Sequence, residues 1–89
     1  MTNKHQTHQD ISKRLIRASG HLKKVISMIE EEQPCIEVAQ QMQAVIKAIE
    51  KAKHIFVTDH IEHCLDEERL KSGNIKELKR ELSEISKYL

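Results

Sequence analysis

The chain has 89 residues, with 15 Lys+Arg against 14 Asp+Glu for a formal charge of +1, and this length allows one small domain. Two Gly, one Pro, one Phe, one Tyr and no Trp leave too few turn signals for an all-β sandwich or barrel. They also leave too few aromatics for a platform that stacks single-stranded nucleic acid. No apolar run approaches the roughly 18 residues of a membrane span, and the polar start MTNKHQTHQD does not read as a signal peptide, so a cytoplasmic protein with no membrane partner is expected.

Residues 1–10 show no apolar period and are expected to form a flexible arm, ahead of a single helical domain over 11–89. From Ile11 the residues Leu15, Ala18, Leu22, Val25 and Ile29 follow in steps of four and three, the stripe of one helix face. Gly20 lies inside that helix, where it costs about 1 kcal/mol relative to Ala and suits close packing rather than a stop. A boundary at 32–34 follows from Pro34, which disfavours helix before it and suits the start of a new one. A second helix, from Pro34 to about Leu65, carries Val38, Met42, Val45, Ile49, Ala52 and Phe56. It would be roughly 45 Å long. After a loop at Lys71-Ser72-Gly73-Asn74, with Ser72 or Asn74 as cap, a third helix carries Ile75, Leu78, Leu82, Ile85 and Leu89. The predicted fold is all-α, a three-helix protomer with a long central helix.

Such a protomer is short of core. A chain of this size buries only about 60–65% of its unfolded surface, and 38% apolar is lean. Chains of this kind need a staple. Two Cys permit one bridge at most, and a cytoplasmic location argues against it. A partner subunit is the better expectation, and the long second helix needs one to cover it.

The near-neutral total hides an asymmetry. From Lys4 to Lys24 there are six basic residues and one acid, Asp10. Lys47, Lys51 and Lys53 add a second basic stretch, whereas five acids and no Lys or Arg lie between Asp59 and Glu68. Lys13, Arg14 and Arg17 are the candidate phosphate contacts. A solvated helix face is the competing reading of the same charges. No helix-turn-helix pattern is visible, so a DNA contact would use another helical surface.

The chemistry-bearing residues lie at the two ends of the second helix. His60 and Cys64 are four apart, about one turn, and can converge on one ion. Cys35 falls on nearly the same face but roughly 37 Å away along the axis, so it cannot join them within one helix. Antiparallel pairing of two such helices brings Cys35 of one subunit to His60 and Cys64 of the next, making two identical sites. Two thiolates and one imidazole favour Cu(I). Zn(II) would call for a fourth ligand, for which His63, or His5 or His8 from the arm, are candidates; Ni(II) or Co(II) would want more nitrogen and oxygen donors. The competing reading makes Cys35 a small apolar residue and the His/Cys pair incidental. His54 and His21 read as surface or packing residues.

The stretches RLIRASGHLKKVISMIEE, PCIEVAQQMQAVIKAIEKAK and DHIEHCL, with the Cys35, His60, Cys64 spacing, resemble the copper-sensing operon repressor (CsoR/RcnR) family of small bacterial transcriptional repressors. The resemblance runs from about Ile11 to Leu89, and the spacing matches the copper branch. It implies an antiparallel dimer that pairs into a dimer of dimers. It also implies that the metal-free protein binds double-stranded operator DNA through the basic surfaces of its first two helices and is released when ligand fills the inter-subunit site. Arg14 and Arg17 fall where the family carries its DNA-binding residues. Two departures stand out. His21 replaces the family's usual Gln, and Pro34 replaces the Tyr that copper members often link to a Glu of helix three, for which Glu81 is the candidate here. Nickel- or cobalt-responsive repression, and thiol sensing of the persulfide or formaldehyde type through Cys35 and Cys64, are the alternative functions. Enzymatic activity is not expected, because the chain has no nucleophile–base–orienter set and no glycine-rich phosphate loop.

Overall fold

The computed structural model describes residues 4–66, 70–71 and 74–89, with side chains from Thr7 onward. Its long elements are three helices: α1 (Lys4–Glu30), α2 (Cys35–Cys64) and α3 (Ile75–Ser86). Among the described residues there is no strand, so the all-α expectation and the long central helix are borne out. Among them, too, no helix is long and apolar enough to cross a membrane. The chain divides into two compact units, one ending at Lys53 and one running from His54 to Leu89.

In the first unit, α1 and the first part of α2 form a helical hairpin. The turn between them falls where Pro34 predicts it. Gln33 N–H bonds Met28 C=O at 2.9 Å and Glu32 N–H bonds Ile29 C=O at 3.1 Å, the paired bonds of a Schellman-type C-cap. Glu32 takes the left-handed position with φ 56°, a place that glycine fills at less cost. Pro34 C=O then accepts from Val38 N–H at 3.1 Å and so opens the ladder of α2.

The apolar stripes are only half covered. In α1 the seven-spaced line Ile11, Ala18 and Val25 is buried, while Leu15, Leu22 and Ile29, four residues further on, remain 44%, 43% and 54% exposed. α2 repeats the pattern: Val38, Val45 and Ala52 are buried, and Met42 and Ile49 are 40% and 43% exposed. Val25, Val38 and Val45 form the core cluster, with Met28 packed against it. One neighbouring helix covers one narrow line of its partner, so each helix keeps a second apolar line open to a further one.

Residues 4–10 differ from expectation. They are the opening turns of α1, and Thr7 is buried. The segment holds no Gly or Pro, and once a helix is nucleated each added residue gains a hydrogen bond even without an apolar period.

In the second unit Val57, Cys64 and Leu78 are buried, with Leu82 and Ile85 half-buried. Asn74 caps α3, its side-chain oxygen accepting from Lys76 N–H at 3.0 Å and Glu77 N–H at 3.4 Å. Ser72, the other expected cap, lies outside the described residues. Leu89, expected within the third helix, follows its end at Ser86 and is exposed.

Candidate metal centre and basic groove

The last turn of α2 presents His60 and Cys64 on one face, and α3 brings Glu81 to them. One donor atom from each of the three lies within 4.8 Å of the other two. Cys64 is fully buried, and its thiol donates to Glu81 Oε2 at 3.5 Å, within hydrogen-bonding distance for sulfur. His60 and Glu81 are half-buried. Both line a cavity of about 270 Å³ together with Arg80, Glu84 and Tyr88. Imidazole, thiolate and carboxylate are all metal donors, and the residues present therefore fit a metal ion. His63, one turn position away, is half-buried and stands outside the group of three.

Cys35 is the first residue of α2, exposed and with a free thiol. It lines an apolar groove of about 490 Å³ in the first unit with Ile29, Val38, Met42 and Ile46. His60, Cys64 and Glu81 form their group without it. His8 is exposed on α1, and the side chain of His5 lies outside the described residues.

The first unit carries a second feature. Arg14 and Arg17 of α1 line a groove of about 430 Å³ with Lys47 and Lys51 of α2, over a floor that includes Ala18, Ala44 and Ala48. Lys13 is exposed on α1 but does not line it. His21, read from sequence as an ordinary surface or packing residue, also lines this groove, and its Nε2 donates to Gln41 Oε1 at 2.6 Å. The bond ties α1 to α2 beside four cationic side chains. Positions 14, 17 and 21 on α1, and 47 and 51 on α2, are spaced by three or four residues. That helical spacing is the signal in the sequence that groups them on one face of each helix.

The helical chain thus carries a cluster of metal-donor side chains at the end of α2 and a basic groove between α1 and α2. The chain belongs to the metal-sensitive transcriptional repressor family, whose description matches residues 7–89. The resemblance read from the sequence is thereby borne out, and the family is one of repressors, not enzymes. Among curated relatives, the copper-sensing transcriptional repressor CsoR of Mycobacterium ulcerans is 37% identical over 57% of this chain and 44% of its own length. RicR of Mycobacterium tuberculosis, also named a copper-sensing repressor, is 33% identical over 67% of this chain and 62% of its own length. CsoR of Bacillus subtilis is 29% identical over 86% of this chain and 75% of its own. The chain thus spans less than two thirds of the first two relatives. Among solved structures, the nickel-responsive transcriptional regulator InrS superposes with a TM-score of 0.79 at 33% identity, over 91% of both chains.

Proposed function

We propose that this protein is a metal-responsive transcriptional repressor that holds double-stranded operator DNA in its metal-free form and releases it on binding Cu(I). The observation that carries the reading is the convergence of His60 and Cys64 in a chain of this repressor family. Cys35 of a second subunit completes the set, giving two thiolates and an imidazole, donors that suit Cu(I). The relatives named copper-sensing repressors support the same metal.

The subunits are antiparallel dimers that pair into a dimer of dimers. The second, uncovered lines of α1 and α2 support this, because each half-exposed Leu, Ile or Met still has about 1 kcal/mol to gain from burial. Operator phosphates are held by Arg14, Arg17, Lys47 and Lys51 in the basic groove, with Lys13 beside them on α1. Lys47 and Lys51 share α2 with His60 and Cys64. A metal that changes how α2 is held against a partner subunit therefore changes how the groove is offered to DNA. The protein acts in the cytoplasm, where operator and metal both reach it.

Nickel or cobalt is the alternative inducer, favoured by the match to the nickel-responsive InrS. One experiment separates the two. Reduced protein bound to labelled operator DNA is titrated with Cu(I), Ni(II), Co(II) and Zn(II), and binding is followed by anisotropy. Release by one equivalent of Cu(I) per protomer supports the reading, whereas retained operator affinity with saturating Cu(I) overturns it.

A further inference from the structure

We propose that Glu81 is itself a metal ligand, and that His60, Cys64 and Glu81 of a single protomer form a site for a borderline divalent cation of the Zn(II) type, complete without Cys35. The proposal rests on reading this end of α2 as the sensing site and assigns it a second metal class.

Distances carry the argument. A tetrahedral zinc with its thiolate at about 2.3 Å and its carboxylate oxygen at about 2.0 Å holds those two atoms roughly 3.5 Å apart. Cys64 Sγ and Glu81 Oε2 are 3.5 Å apart. The donor atoms of all three residues lie within 4.8 Å of one another. Two of the donors are one helical turn apart on α2 and the third comes from α3, so the folded second unit preorganises the trio.

Chemistry points the same way. The thiol proton that Cys64 donates to Glu81 is the proton a cation must displace, since the metal-binding form is the thiolate. Cation binding therefore forms a metal–sulfur bond, breaks the S–H bond and releases one proton to solvent. The cation then lies between thiolate and carboxylate, and its charge balances both. One sulfur, one nitrogen and one oxygen make a borderline set that suits Zn(II) and Co(II), whereas Cu(I) prefers the set with a second sulfur from Cys35. The cavity of about 270 Å³ against His60 and Glu81 supplies access and room for a water as fourth ligand.

The same residues thus offer two ligand sets that differ in one donor. Glu81 serves the divalent cation within a protomer, and Cys35 of a partner serves Cu(I) between protomers. Glu81 and Cys35 are exchangeable thirds of one centre.

The test uses the full-length reduced protein with Co(II) as the probe. A Cys35→Ser variant is expected to bind one equivalent of Co(II) per protomer, with the near-ultraviolet thiolate-to-cobalt band and the visible bands of tetrahedral cobalt, and to lose both to Zn(II). Glu81→Gln, which keeps the size and a hydrogen-bond acceptor, is expected to weaken Co(II) binding by at least about tenfold in either background. Its Cu(I) affinity, measured by competition with a chromogenic chelator, should fall by less than its Co(II) affinity does. Helical circular dichroism of each variant confirms folding. Absence of the thiolate band in Cys35→Ser overturns the proposal, as does undiminished Co(II) binding by Glu81→Gln. Equal weakening of Co(II) and Cu(I) by Glu81→Gln also overturns it, because that result marks Glu81 as a positioning residue only. Operator release by Cu(I) in the unsubstituted protein reads on the repressor function separately, so the two can fail independently.

Discussion

At the scale of single residues, a sequence discloses only the locally spaced part of each of the two sites. The i,i+4 spacing of His60 and Cys64 puts their donors on one face, and the structure has them within reach of each other. Glu81 is seventeen residues beyond Cys64, and no local period links it to them; only the resemblance to a family singled it out. The groove cations divide in the same way. Arg14 and Arg17 are legible as a basic pair, but their grouping with Lys47, Lys51 and His21 depends on the pairing of two helices. This yields a prediction about operator binding. Arg14→Ala and Lys47→Ala should each weaken it and reduce the slope of log K against log salt by about one, the loss of one phosphate contact. Fluorescence anisotropy across a salt series measures it. A slope unchanged by either substitution would remove the groove from the DNA interface.

At the scale of elements, three local signals set the ends and the weak point of the helices. Asn74 caps α3 through two backbone N–H groups, so Asn74→Ala should cost about 1 kcal/mol of stability, read from urea denaturation. Gly20 lies within α1, and a Cβ placed there meets nothing within 4 Å. The expectation that it serves close packing therefore finds no neighbour among the described residues. Gly20→Ala should raise stability by about 1 kcal/mol in the free protein, because it removes backbone entropy from the unfolded state and creates no clash. A fall in the thermal midpoint would instead mean that another molecule packs against that position. Pro34 and the Schellman-type turn before it were readable as a boundary. The helical start at Lys4 was not, since a polar stretch without period reads alike whether it extends a helix or hangs free.

At the scale of the whole molecule, the half-covered stripes dominate. Each of α1 and α2 buries one seven-spaced line and leaves the next exposed, and the proposed dimer would cover the exposed lines. The thermal midpoint should therefore rise with protein concentration, as expected when association stabilises the folded state. Ile49→Glu, which places a charge on the uncovered line of α2, should shift sedimentation equilibrium toward the monomer and lower that midpoint. A concentration-independent midpoint would argue against the dimer.

Composition and period alone determined that this protein is helical, that its middle helix is the longest, and that a boundary falls at Pro34, because these follow from propensities and from contacts a few residues apart. The +1 total, which by itself says little about partners, was already legible as a basic first helix set against an acidic end of the second. Tertiary structure decided which line of each stripe is buried, which basic residues share a groove, and that Glu81 meets Cys64. Those outcomes depend on contacts between residues far apart in the chain, and the period of a single helix does not determine which of its two apolar lines a neighbour will cover.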